Sequence, residues 1–195
     1  MALASVALGT ARTFLNDDEA NVWTDAVLMP KLREAHRELQ VKLWVVGSPI
    51  VRGESSRLTV TAGQTSLVST PSDLLAPTSL IEATSPAGVD WEPMTEVSYI
   101  PKTVSVSGKL IYWAWREELI KFLGSSSDRS VIVYYRKAIT IPTVVSDPIG
   151  ILFGELYLGA RIAAMAAGSV GNEPVFNQLS ALSKANFDDV VRANR

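Results

Sequence analysis

The 195-residue chain contains no cysteine and a single histidine. Those absences exclude disulfides, thiolate metal sites and a Cys nucleophile, and they fit a reducing compartment. They leave carboxylates as the only ligands for a metal, and neither GxGxxG nor GxxxxGK occurs to cradle a nucleotide. Charge of one sign is also lacking. Lys plus Arg (18) nearly balances Asp plus Glu (20), for a formal charge of −2. A near-neutral chain has no basic excess with which to neutralise phosphates, so a dedicated DNA-binding face is not expected. No catalytic residue, metal site or cofactor is expected.

One long apolar run is present. DPIGILFGELYLGARIAAMAAG, residues 147–168, approaches the length of a bilayer span. Glu155 and Arg161 oppose that reading, because ionised groups near the middle of a span cost about 2.5–3.5 kcal/mol each on insertion scales. No membrane contact is expected. A water-soluble helix this apolar needs partners on nearly every side. Gly159, Ala160, Ala163, Ala164, Ala166 and Ala167 give it a small-residue side that another backbone can approach closely. Glu155 and Arg161 lie six residues apart and cannot pair within the helix. They are read either as subunit contacts or as edges reaching solvent. Ser146, Asp147 and Pro148 predict the start of this helix, and Gly168 or Gly171 its end.

Three segments differ in texture. MALASVALGTARTFLNDDEA has no basic region ahead of its apolar residues and reads as a first helix rather than a secretory signal. Over residues 18–46, Leu28, Leu32, Ala35, Leu39, Leu43 and Val46 recur at steps of three and four, the stripe of an amphipathic helix. Asp17 or Asp18 is its expected N-cap, and Pro30 predicts a kink or two shorter helices. His36 sits near the edge of that stripe and reads as a surface residue; no nucleophile stands at a spacing that would make it a general base. DDE at residues 17–19 reads as capping rather than as a cation cage.

Residues 48–146 turn to Ser, Thr, Val, Pro and Gly with short alternating runs, the pattern of small strands joined by turns. SRLTVTAG, TSLIEAT, EVSYI, TVSVSGKLIYWAW and SVIVYYRKAI are the strand candidates. EELIKFLGSSSDRSVIVYY predicts a hairpin, and TPSDLLAP a single helical turn closed by Pro77. Trp113 and Trp115 share one face of a strand, as packing for this segment or as an aromatic platform for sugars or bases. After 172–174 a further helix with Val175, Leu179 and Leu182 follows, and FDDVVRANR reads as an exposed or mobile tail. Neither chain end carries enough helix for a core alone. The fold class is therefore α+β: a helical bundle of residues 1–47 and 146–195, with a small antiparallel β domain inserted at 48–145.

This order resembles the head-to-tail connector, or adaptor, proteins of tailed bacteriophages. The likeness rests on a first helix followed by LNDDEANVWTDAVLMPKLREAHRELQ, on PSDLLAPTSLIE with WEPM shortly after, on LIYWAWREELIKFLGSSSDRSVIVYY, and on the Ala-rich helix. It spans residues 11–190 and lies in order and texture more than in an invariant signature. Pro30 departs from it. The resemblance implies a non-enzymatic virion protein, made in the host cytoplasm. It would form a ring, usually twelve-fold, that docks under the portal, holds neck or tail proteins and passes double-stranded DNA without binding it specifically. It implies a subunit interface at Glu155, Gly159, Arg161, Ala163 and Ala167. It also implies a portal contact through the C-terminal segment, at Asp188, Asp189, Arg192 and Arg195, and partner-dependent order in loops 48–57 and 84–89. The alternatives are a tail-completion or decoration protein, or a carbohydrate- or peptide-binding module using Trp91, Trp113 and Trp115.

Overall fold

Two aspartates that the sequence places at helix starts close loops instead, and this shifts the start of two helices. In the computed structural model, which describes residues 2–83, 90–100 and 108–195, Asp17 accepts the backbone N–H groups of Asn21 (3.0 Å), Val22 (3.1 Å) and Trp23 (2.6 Å). The Trp23 bond, with the others, holds its carboxyl below the usual range. It closes a loop, and helix α2 begins eight residues later, at Asp25–Val45. Asp147 likewise accepts from Thr143 N–H (2.7 Å) and Val144 N–H (3.0 Å), and these bonds hold its carboxyl low. The apolar helix therefore starts at Gly154, not near residue 147.

The described residues form four helices and mostly antiparallel strands, a mixed α+β fold. They divide into two compact units, Met1–Val51 with Ile139–Arg195, and Arg52–Ala138.

The first unit contains α1 (Ala4–Phe14), α2, a 3-10 turn at Pro49–Val51, α3 (Gly154–Ser169) and α4 (Glu173–Ala193). Ala4, Ala7, Leu8 and Ala11 give α1 a buried stripe at helical spacing. In α2, Leu28, Leu32, Ala35, Leu39 and Leu43 are fully buried, whereas Val46 lies past the helix end and is exposed. Pro30 does not divide α2, which runs unbroken for 21 residues. Because the helix starts at Asp25, the proline falls in its second turn and forgoes one bond, to the Ala26 carbonyl. α3 touches each of the other three helices, which is how a helix apolar all round is satisfied. Its small residues admit α1: a Cβ on Gly159 would stand 2.5 Å from Thr10 Cγ2 and 2.7 Å from Thr10 Cβ. The C-terminus is not a loose tail. α4 continues to Ala193 with Val190 buried, and Asn194 exchanges bonds with the Leu152 backbone (2.9 and 3.2 Å).

The second unit holds two sheets. One has β1 (Arg52–Glu54), β2 (Leu58–Val60), β3 (Leu74–Ala83), β4 (Trp91–Pro93) and β8 (Arg129–Lys137), in the order β1-β8-β3-β4 with β2 also on β8. The other is β5 (Thr95–Glu96), β6 (Tyr112–Arg116) and β7 (Leu119–Phe122). The expected β7–β8 hairpin is absent, since these strands lie in different sheets. The hairpin is β6–β7, with Glu117 (φ 55°) and Glu118 (φ 58°) at its turn. TPSDLLAP is not a helical turn either. It opens β3, with Pro77 at a register shift where its missing N–H is tolerated. Of the expected EVSYI strand only its first residue, Glu96, lies in β5. The 84–89 loop and the 103–107 part of a strand candidate lie outside the described residues.

Trp113, Leu110, Ile120, Phe122, Leu80, Val131 and Val133 fill this unit's core. Inside it lies an ion pair, Glu82 with Arg129, both side chains under a tenth exposed. The Glu82 carboxylate also accepts Leu110 N–H (2.9 Å), and Arg129 donates to the Ala83 carbonyl (2.9 Å). Tyr135 donates its hydroxyl to Asp73 (2.8 Å); burial first, and that carboxylate second, push its pKa up to about 12.

Candidate docking groove

Leaving the turn closed by Asp147, the chain alternates inward and outward before α3 begins. Ile149 and Ile151 are fully buried, whereas Leu152 and Phe153 face solvent. Gly150 takes φ 69°, where a Cβ would also meet Ile139 Cγ2 at 2.7 Å. Phe153 itself sits in the left-handed region (φ 55°, ψ 18°), which costs a non-glycine residue on the order of 1 kcal/mol. The residue is nevertheless 61% exposed. A strained backbone that holds a phenyl ring out of the core calls for a reason beyond folding.

Phe153 and Leu156, one turn into α3, form one wall of an open groove of about 450 Å³. The end of α4 forms the other, with Asn186, Asp189, Arg192 and Ala193. Asn194 fixes the two walls together through its paired bonds to Leu152, and Ser48 donates to the Asn194 carbonyl (2.8 Å). Asp189 and Arg192 form an exposed ion pair at 3.5 Å. The lining is mostly apolar and carries one charge of each sign. That arrangement suits a protein segment with an apolar anchor.

Of the residues implied for portal contact, all four are exposed, and Asp189 and Arg192 line the groove while Asp188 and Arg195 lie outside it. The residues implied for a subunit interface lie elsewhere. Gly159 is buried where α1 takes the close approach that a small residue permits, Ala163 is fully buried and Ala167 is 2% exposed, all within their own unit. Arg161 makes a bidentate pair with Glu38 of α2 (2.7 and 2.9 Å), which holds the Glu38 carboxyl below its usual range. Glu155 is half-buried in the first turn of α3.

Two further expectations are corrected. His36 is not a surface residue but is fully buried, with both ring nitrogens in contact with polar partners. Trp113 is 1% exposed and Trp115 packs partly buried against the same core, so the three tryptophans do not make a shared platform. Loop 48–57 carries the 3-10 turn and β1. Among the described residues, no group of three His, Asp or Glu side chains could hold a metal. Nor is any helix there long and apolar enough to cross a membrane.

The groove was missed in the sequence because Leu152 and Phe153 read as interior positions of a longer helix. Gly150, a poor residue for a helix interior, was the available signal of a break. No protein-family model matches this chain, and no curated protein matches it.

Proposed function

We propose that this protein is a structural adaptor of a tailed-phage neck, without enzymatic activity. In this reading the helices from both chain ends form a bundle carrying the residue 52–138 unit as an inserted β domain. Copies assemble as a ring, twelve-fold by the resemblance, under a portal, and double-stranded DNA passes through without specific binding. The observation that carries the reading is the groove beside the C-terminal segment, with its exposed Phe153 and Leu156 and its charged pair, Asp189 and Arg192. It supplies an apolar anchor point where the resemblance expects portal contact. The near-neutral charge supports a channel through which DNA slides, since dense phosphate contacts would hold it. Because Gly159 is closed off by α1 and Ala163 and Ala167 are buried within their own unit, the contacts to neighbouring subunits fall to other exposed apolar residues of the unit, such as Val6 and Val41.

Light scattering of the purified protein, alone and with a portal or phage neck preparation, tests this reading. We expect a ring in one of those conditions. Leu156→Glu, an exposed change that leaves the core intact, should reduce portal-dependent assembly at least tenfold, a loss of about 1.4 kcal/mol or more. A monomer indifferent to portals would sink the adaptor reading. Full assembly by the Leu156→Glu protein would remove the groove from it.

A further inference from the structure

His36 is the chain's only histidine and is fully buried on α2. Its Nε2 lies 2.8 Å from the carbonyl oxygen of Ile149, which can only accept, so Nε2 carries the hydrogen. Nδ1 is then the acceptor, 3.1 Å from Gln40 Nε2 one turn along the helix. The orientation of that amide is fixed independently. Gln40 Nε2 donates to the Ile139 carbonyl (2.8 Å), and Gln40 Oε1 accepts the Ile139 N–H (3.1 Å). Two neutral side chains thus fasten both ends of the 139–149 segment to α2.

We propose that this pair is a proton-operated latch, closed while His36 is neutral and opened when it is protonated. An imidazolium has two N–H groups and no acceptor. A proton on Nδ1 would face the Gln40 NH₂ group, donor against donor. Turning the amide over would relieve that contact but set Gln40 Oε1 against the Ile139 carbonyl and its NH₂ against the Ile139 N–H. With the amide as it stands the buried Nδ1–H has no acceptor; with the amide turned over Gln40 Oε1 accepts from Nδ1–H, and both bonds that hold Ile139 are lost. The end so released is Ile139, while Nε2–H keeps its bond to the Ile149 carbonyl.

The surroundings offer the cation no charged partner. The groups facing His36 are the Gln40 amide from α2 and the Ile149 carbonyl from the segment before α3. Burial acts on its titration first and the Ile149 carbonyl second, with no contribution from a charged side chain. Nearby on α2, Arg33 is engaged with the Thr143 carbonyl and Glu38 with Arg161. Burial lowers the folded pKa below the ordinary value near 6.5. The unfolded chain therefore takes up the proton first. The latch's stabilisation is complete above about pH 6.5 and diminishes as pH falls toward the folded pKa.

The sole histidine makes the test direct, and its outcome does not depend on the adaptor reading. Imidazole resonances of the full chain are followed by NMR from pH 7.5 to 4.5, together with the amide protection factor of Ile139. We expect the Nε2–H tautomer at pH 7.5, a midpoint below 6.5, and a fall of about tenfold or more in Ile139 protection across the same transition. In His36→Gln, which cannot titrate there, protection should stay flat with pH; should that variant not fold, the wild-type titration decides alone. An Nδ1–H tautomer, or His36 titrating while Ile139 protection is unchanged, would overturn the latch.

Discussion

The two units fill their interiors by different means. In the helical unit the buried polar side chains are His36, Gln40, Ser48, Ser183 and Asn194, all neutral. Its specificity comes from shape, as where α1 meets Gly159 with no room for a Cβ. The β unit instead encloses a charge pair, Glu82 with Arg129. Five of the eight strands among its described residues are four residues or shorter, too short for side-chain alternation alone to fix which strand meets which. Glu82 lies on β3, Arg129 on β8, and the Leu110 N–H bound to Glu82 lies two residues before β6. One carboxylate thereby ties the first sheet to the chain entering the second. Long helices with small residues define their packing by contact, whereas short strands draw definition from a polar tie.

Removing that tie should give the largest effect. Glu82→Ala leaves Arg129 buried without its partner and Leu110 N–H without its acceptor, at about 3–5 kcal/mol. Urea unfolding followed by fluorescence reads it, with Trp23 and Trp44 replaced by Phe so that the signal comes from the β unit. Replacing the pair together, Glu82→Met with Arg129→Leu, removes both desolvated charges and should recover most of that loss. A wild-type midpoint for Glu82→Ala would erase the distinction between the units.

In the helical unit the matching test is steric. Gly159→Ala gains helix propensity of about 0.5–1 kcal/mol but forces α1 away, since Thr10 Cβ and the Ala7 carbonyl (3.3 Å) cannot rotate aside. We expect net destabilisation of about 1–3 kcal/mol in thermal melts. Gly9→Ala, where an added Cβ meets nothing within 4 Å, should move the other way by about 0.5–1 kcal/mol. Equal responses at the two glycines would show that shape does not discriminate in this unit.

The same contrast decides what the sequence made legible. The mixed α+β class, the buried stripe of α2 and the close-packed small residues of α3 follow from local periodicity, which a sequence displays directly. Helix starts did not, because an aspartate that accepts backbone N–H groups serves a loop as well as a helix, as Asp17 and Asp147 do here. The Glu82–Arg129 pair joins residues 47 apart, and nothing local marks a strand glutamate as buried. His36 was misjudged for a related reason: its two partners, Gln40 and Ile149, come from its own helix and from 113 residues away. Phe153 and the groove depend on where α3 begins, and so inherited that error.

The smallest expected effect lies in the β6–β7 turn, where definition is local. A two-residue hairpin loop with positive φ at both positions favours Asn-Gly, yet Glu117 and Glu118 occupy it at φ 55° and 58°. Each glutamate is held where a side chain is disfavoured. Glu117 gains an ion pair with Lys121, which holds its carboxyl low, but an exposed pair of that kind contributes little. Glu117→Asn with Glu118→Gly relieves the backbone and should stabilise the unit by about 1 kcal/mol, although glycine also frees the unfolded chain and offsets part of the gain. A raised urea midpoint with an unchanged slope is the expected signature. If the midpoint does not rise, the turn is not under strain, and the polar tie at Glu82 would have to account for this unit's register without help from its hairpin.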